Sequence, residues 1–355
     1  MQAIAVRKGE EQPRLVELPK PEVEPGEALV RTLRVGVDGT DHEVLSGGHG
    51  GFPEGEEQLV LGHEAVGVVE SAPTESSLSR GDVVVPTVRR PPEGVTNDYF
   101  ERKEPDMAPP GQYVERGIDG GHGFMAEYFT SPVEYLVPIP DNLAEIGFLV
   151  EPISITEKAL ELAYASRSSF DWTPTRALVL GNGSLGLLTL AMLDGYEEVY
   201  CLGRRDRPDP SIDIIEKLGA TYIDSRETPV SEIPHAYEPM DLVYEATGYA
   251  KHAFESIEAL APNGVAALLG VPARGWRFEV AGSDLHREFV LNNKALVGSV
   301  NSGHEHFEAA IDTLSALDES FLDALVTGVY DLDSFGTAFE TDDRTIKTAI
   351  EFHSL

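Results

Sequence analysis

Apolar and polar positions along the chain follow two rhythms, and the change between them comes near residue 150. Before it, short alternating segments (3–6, 27–30, 65–70, 82–85 and 124–129) lie between Gly- and Pro-rich turns. Period-two alternation bounded by turn residues predicts a compact, mostly antiparallel β-domain. Residues 88–122 interrupt it with a loop-like excursion rich in Pro, Gly and charge, too long for a simple connection. From Glu157 a helix is expected. Beyond it, segments 199–202, 212–218, 221–224, 241–247, 253–260, 265–270 and 295–300 read as strands and helices in alternation. That order predicts an α/β doubly wound parallel sheet. From about residue 303 a helix, a strand near Val329 and a last strand near Ile350 are expected to return to the first domain.

Residues 177–190, ALVLGNGSLGLLTL, form the most informative join. A strand-length apolar run meets Gly181, and Gly183 and Gly186 follow at G-x-G-x-x-G spacing, with Asn182, Ser184 and Leu185 between them. The first glycine allows the tight turn and the second lets backbone approach a pyrophosphate. The third brings helix and strand together, and the helix start attracts the anion. Three glycines alone are common; the strand before, the helix after and the next strand (198–202) give the spacing its weight. At the tip of that next strand, where an acid would meet a free ribose 2′-hydroxyl, stand Gly203, Arg204 and Arg205. Guanidinium forks suit phosphate oxygens, so the tip favours NADP over NAD. A solvated pair of arginines is the plainer reading of the same two residues.

Composition narrows the setting. The 355 residues suffice for two domains, each with its own core. A net charge of −34, from 27 basic and 61 acidic residues, stands beside 41% hydrophobic content, which argues for folded domains rather than disorder. The acids are scattered and Lys is scarce beside Arg, a surface suited to a cytoplasm of molar salt. Nucleic acid is excluded as a partner by that charge. Cys201 is the one cysteine, so neither a disulfide framework nor a Cys-rich structural zinc site is expected. The first residues lack a signal-peptide core and no run reaches membrane-spanning length, so a cytoplasmic protein with no membrane partner is expected.

The chemistry is expected in the first domain. Asp38 opens Asp-Gly-Thr-Asp-His, His63 stands in Gly-His-Glu, and Glu151 lies between Val150 and Pro152. One imidazole and two carboxylates match a catalytic zinc, which takes about three protein ligands and keeps one position open. Glu64 is a fourth ligand or an outer partner. From these residues alone, Gly-His-Glu also reads as a turn with a surface histidine, and Asp38-Gly39 as a turn dipeptide. His42, His49, His122, His286, His304 and His306 read as packed, loop or solvated residues.

Taken together, these motifs resemble those of the zinc-dependent medium-chain dehydrogenases, most closely the glucose dehydrogenases of halophilic archaea. Gly62-His63-Glu64-x-x-Gly67 is similar to the family's zinc signature, and Asp38-Gly39-Thr40-Asp41 to its Cys-Gly-Thr-Asp element. Gly181 to Gly186 fits its cofactor turn, and Leu149-Val-Glu-Pro-Ile-Ser154 its third metal ligand. The resemblance spans essentially the whole chain. It implies a GroES-like catalytic domain from residues 1–150 and 303–355, with a Rossmann NADP-binding domain at 151–302. It further implies one catalytic zinc on Asp38, His63 and Glu151. Asp38 departs from the usual Cys, so the ligand set is harder and less selective. The family's structural zinc lobe needs four cysteines within 88–122, where this chain has none.

The implied reaction is oxidation of glucose at C1 to gluconolactone, with hydride transfer to NADP or, as second choice, NAD, and Lewis-acid help from the metal. Thr40 resembles the family's proton relay; a capping hydroxyl is its rival role. Thr40, Glu115, Glu151 and Asn301 are the implied sugar contacts. Thr247, Leu269, Gly270, Val271, Ser299, Val300 and Asn301 are the implied nicotinamide-side contacts. A homo-oligomer, dimer or tetramer, is expected, with the sheet edge at 295–300 as a pairing surface. Two alternatives stay open: a zinc-dependent alcohol or polyol dehydrogenase with another substrate, and a non-catalytic NADPH-binding protein. The latter would have no reason to keep Asp38, His63 and Glu151 together.

Overall fold

The computed structural model describes residues 1–273 and 275–355. The chain divides into two units: Met1–Ser154 with Asn301–Ala316 and Val326–Leu355, and Ile155–Val300 with Leu317–Leu325. No described helix is long and apolar enough to cross a membrane.

In the first unit the alternating segments pair into antiparallel sheets. The largest is ordered Leu136–Pro138, Val83–Pro86, Glu64–Ser71, Glu27–Val37, Lys347–Glu351, Val326–Asp331, and Tyr128–Pro132 also pairs with Glu27–Val37. Only the last pair in that order, Lys347–Glu351 with Val326–Asp331, is parallel. Ile350 lies opposite Val35, and Thr348 opposite Val37. The chain's end thus packs against its first long strand, and Ile350 and Val35 share one apolar core with Ile4, Leu61 and Phe124.

Residues 88–122 are not the plain loop their composition suggested. Arg89–Arg90, Val114–Arg116 and Gly120–Gly121 form a small sheet, beside a helix at Asp98–Glu101. Its charged pattern hid two buried arginines. Arg89 Nε donates to Glu115 Oε1 at 3.0 Å, its Nη1 to the Asp106 carbonyl at 2.9 Å, and its guanidinium lies 3.7 Å from the Tyr113 ring centre. Acceptors of this kind make a buried guanidinium tolerable; Arg90 places its Nη1 on the Thr87 carbonyl at 2.7 Å and its Nη2 on Ser131 Oγ at 3.1 Å, while its Nε has no partner among the described residues.

The second unit holds a parallel sheet ordered Thr221–Asp224, Glu198–Gly203, Arg176–Leu180, Met240–Glu245, Leu260–Leu268, Ala295–Gly298. Numbered by chain position, the spatial order is the doubly wound 3-2-1-4-5-6. Leu178, Leu180, Leu202, Val243 and Ala266 belong to its core. The segment 212–218 belongs to a helix, Pro210–Lys217, capped by Asp209. Two boundaries differ from expectation. The helix expected from Glu157 starts at Val150, which puts Glu151 in its first turn. The strand expected at 295–300 stops at Gly298, and Asn301 turns left-handed with φ 58°.

Candidate metal centre and dinucleotide turn

Asp38 follows the strand Glu27–Val37 and caps the helix Gly39–Leu45. The Asp41 N–H donates to Asp38 Oδ1 at 3.0 Å, and the Asp38 N–H donates to Asp41 Oδ2 at 3.1 Å. This reciprocal capping box fixes the Asp38 side chain by purely local means. Its other oxygen, Oδ2, accepts from the Thr40 hydroxyl at 3.0 Å and lies 3.6 Å from His63 Nε2. That last separation is long for a hydrogen bond and close to the ~3.3 Å edge between two ligands of one tetrahedral zinc.

His63 follows Gly62, whose φ of 86° requires glycine, and Glu64 opens the next strand opposite Gly36. Gly36 keeps a slot clear, for a Cβ there would lie 2.1 Å from Glu64 Oε2 and 3.2 Å from Lys347 Cε. In that slot the Lys347 ammonium pairs with the Glu64 carboxylate and donates to the Val37 carbonyl at 3.1 Å. Glu151 enters from the first turn of Val150–Ala165. The Ser154 hydroxyl, one turn on, donates to the Glu151 carbonyl at 2.5 Å and lies 2.7 Å from the Ser302 hydroxyl. Asn301 Oδ1 accepts from the Ser302 N–H at 2.9 Å, so Asn301 is tied to the same corner as Glu151.

Among the described residues, two sets of donor atoms could hold a metal: Asp38, Asp41 and His63, and His63, Glu64 and Glu151, each within 4.8 Å internally. His63 is shared, whereas Asp38 and Glu151 fall in different sets. His63, Asp41, Glu64 and Glu151 are all buried. Burial and the charge of Asp38 push the Asp41 carboxyl up to about 7, and burial followed by the charges of Glu64 and Asp38 pushes Glu151 up to about 8 against the pull of His63. Burial disfavours charged His63, but Asp38 outweighs it and holds His63 well above its usual value. Four carboxylates thus crowd around one imidazole and one ammonium, and the fold pushes Asp41 and Glu151 toward their neutral forms because the two cations do not balance all four charges. A divalent cation fits that donor set and would let those carboxyls ionise.

Asp41 and Lys347 were not singled out from sequence. The Asp-x-x-Asp spacing carried a capping signal for Asp41. Lys347 carried none, since sheet register alone brings it to residues 283 positions or more away. The other histidines lie elsewhere: His42 packs edge-on to Phe339, His122 accepts from the Val60 N–H at 3.2 Å, and His306 accepts from the Gly303 N–H at 2.9 Å. His286 sits inside the helix Gly282–Asn292.

In the second unit the glycines divide their tasks. Gly181 has φ 114°, and a Cβ on Gly186 would lie 2.0 Å from the Gly181 carbonyl oxygen, so only glycine lets this helix approach its strand. Gly183 caps the helix Ser184–Ala191, and a Cβ there would meet nothing within 4 Å. That open space at a helix start fits a pyrophosphate. Asn182 Nδ2 donates to Ser211 Oγ at 2.6 Å. Gly203 is buried and Arg204 exposed; Arg205 Nε lies 3.9 Å from Asp209 Oδ2. On the nicotinamide side, the Thr247, Leu269 and Gly270 N–H groups all donate to Glu245, the first to its carboxylate at 2.8 Å, the others to its carbonyl at 2.9 and 3.2 Å. Glu245, another residue not expected, thereby organises both loops. Val271 and Val300 are exposed, and the Ser299 N–H still donates to Leu268 at 3.0 Å.

A family model described as the glucose dehydrogenase C-terminus matches residues 144–352, and one described as the alcohol dehydrogenase GroES-like domain matches residues 24–141. The chain is 68% identical to a glucose 1-dehydrogenase of Haloferax mediterranei and 66% identical to glucose 1-dehydrogenase 1 of Haloterrigena turkmenica, with 100% of each chain covered in both cases. A solved structure of Haloferax mediterranei glucose dehydrogenase in complex with NADP, Zn and gluconolactone superposes with a TM-score of 0.98 at 67% identity over 100% of both chains. The chain belongs to the glucose dehydrogenases of the zinc-dependent medium-chain dehydrogenase/reductase family.

Proposed function

We propose that the chain is a zinc-dependent glucose 1-dehydrogenase that oxidises D-glucose at C1 to gluconolactone and prefers NADP. The observation that carries this reading is the cluster of half-buried Asp38 with buried His63, Glu64 and Glu151, a donor set that fits a divalent cation, in a chain similar along its full length to glucose 1-dehydrogenases. Asp38, His63 and Glu151 hold the metal. Glu64, already paired with Lys347, is an outer partner that tunes it.

When bound, zinc supplies Lewis-acid polarisation of the sugar's C1 hydroxyl, and NADP supplies the hydride acceptor. The chain's own groups do the rest. The Thr40 hydroxyl, which donates to Asp38 Oδ2, is placed to accept the C1 hydroxyl proton while releasing its own to solvent. With that proton gone, the sugar would lose a hydride from C1 to bound NADP and become the lactone. Glu151 and Asn301, tied together through Ser154 and Ser302, hold sugar hydroxyls. Glu115 joins them through Oε2, its Oε1 being taken by Arg89. Gly183, Ser184 and Leu185 offer helix-start amides to the pyrophosphate, and Arg205 faces the 2′-phosphate. The Leu269, Gly270 and Val271 backbone lines the nicotinamide.

Copies of the chain associate as a homo-oligomer, and the outer edge of Ala295–Gly298, last in its sheet, with exposed Val290 and Leu291 nearby in sequence, is the surface we assign to pairing. The direct test is an assay in molar salt with NADP and NAD, each offered glucose, galactose, xylose and simple alcohols. NADP reduction fastest with glucose and abolished by chelator is the expected result. Turnover of simple alcohols alone would remove the sugar assignments and keep the metal.

A further inference from the structure

In the loop after Glu198–Gly203 one phenol closes on the main chain of Arg205. Tyr222 lies on the neighbouring strand Thr221–Asp224, opposite Cys201, and its hydroxyl reaches beyond the strand end to Arg205. The Arg205 N–H donates to that oxygen at 2.8 Å, and the hydroxyl donates in turn to the Arg205 carbonyl at 3.0 Å. Both main-chain polar groups of one residue therefore close on one side chain, in a stretch outside helix and strand. Gly203 makes the approach feasible, because a Cβ there would lie 2.9 Å from the Tyr222 ring and 2.6 Å from Asn182 Oδ1.

The side chain of Arg205 is guided as well. Asp209, 3.9 Å from Arg205 Nε, has its Oδ1 held by the Ser211 N–H at 2.9 Å and the Ser211 hydroxyl at 2.5 Å, and Asn182 donates to Ser211. A polar line thus runs from the glycine turn to Arg205. Arg226 is paired with Asp224 and Asp206, and Arg207 with Glu216, while Arg204 is exposed.

Resting on the reading that Arg205 takes the 2′-phosphate of NADP, we propose that Tyr222 is a specificity-determining positioning residue, selecting a phosphomonoester on the cofactor's ribose by pinning the Arg205 backbone. A long side chain on an irregular loop loses conformational freedom when it binds phosphate, and a fixed root reduces that loss. NAD presents no phosphate there and gains nothing from the pin. A purely structural tyrosine would affect both cofactors alike.

Tyr222→Phe removes only the oxygen and keeps the ring in the sheet. The full-length protein, this variant and Arg205→Ala are titrated with NADPH and with NADH in molar KCl, without sugar, following nicotinamide fluorescence. Thermal melts confirm that each variant is folded. Tyr222→Phe is predicted to weaken NADPH binding roughly three- to tenfold, the reach of one or two modest hydrogen bonds, and to leave NADH binding unchanged. Equal weakening of both cofactors, or of neither, overturns the role of Tyr222. An NADPH-to-NADH ratio unmoved by Arg205→Ala overturns instead the reading of Arg205 on which the proposal rests.

Discussion

The dinucleotide turn and the metal centre are built in opposite ways. Gly181, Gly183 and Gly186 share one strand–turn–helix, and Arg205 follows two residues after the end of the very next strand, so the covalent chain itself carries the geometry. The proposed metal centre draws Asp38 from a helix cap, His63 from the lip of a strand and Glu151 from another helix, with Lys347 beside them from the last strand. Its geometry exists only once the sheet register is set. The first site is held by steric fit, as the 2.0 Å approach of a Gly186 Cβ to Gly181 indicates. The second is held by charge in a buried place. A site written locally tolerates changes elsewhere; a site assembled by folding couples stability to chemistry.

That contrast can be broken or sharpened, taking the largest expected effect first. Lys347→Met leaves Glu64 buried without its cation, and an uncompensated buried charge costs about 3–5 kcal/mol. Denaturant unfolding of the variant should show that loss; an unchanged midpoint would mean the pair contributes nothing. His63→Ala removes the residue common to both donor sets and should lower zinc affinity by more than about a hundredfold, beyond what loss of an outer partner costs. Metal content after dialysis measures it, and retained zinc would show that the carboxylates suffice. Gly186→Ala should destabilise the protein by about 1–3 kcal/mol through overpacking. Gly183→Ala, which meets open space, should keep stability and weaken NADPH binding instead. The same response from both glycines would erase the division of tasks between them.

A smaller effect follows from protonation. Asp41 at about 7 and Glu151 at about 8 hold protons in the metal-stripped native protein at pH values where the unfolded chain has lost them. Native protein then binds more protons than unfolded, so stability falls as pH rises from about 5 to 8. His63, raised in the fold, acts in the same direction. Asp38, held far below its usual range because His63 and Lys347 outweigh its burial, acts only below about pH 4. Thermal melts of the chelated protein in molar KCl should therefore give a lower midpoint at pH 8 than at pH 5.5. A flat or rising profile would contradict the crowding of buried carboxylates.

Legibility followed the same division. The glycine turn, Arg205 and the doubly wound sheet could be read from spacing and period because their signals are contiguous. Asp38, His63 and Glu151 offer donor atoms suited to zinc, but spacing alone does not distinguish them from turn residues; the ligand assignment rests on the family resemblance and stays a proposal. Lys347 and Tyr222 carry no signal in the sequence because each meets a partner that only strand register supplies. The excursion at 88–122 was misread as a loop because Arg89 and Arg90 look like surface charge until their acceptors are known. The strand at 295–300 was drawn too long because a left-handed Asn301 leaves no mark in hydropathy.

The central claim is that one zinc is held by imidazole and carboxylate ligands without a thiolate. X-ray absorption of the zinc-loaded protein at the zinc edge tests it most directly. The prediction is about one zinc per chain, with a single imidazole and an otherwise oxygen shell at about 2.0–2.2 Å. A sulfur scatterer at about 2.3 Å would contradict it and implicate Cys201, which is buried in the other unit with a thiol that burial pushes up. So would a shell of several histidines.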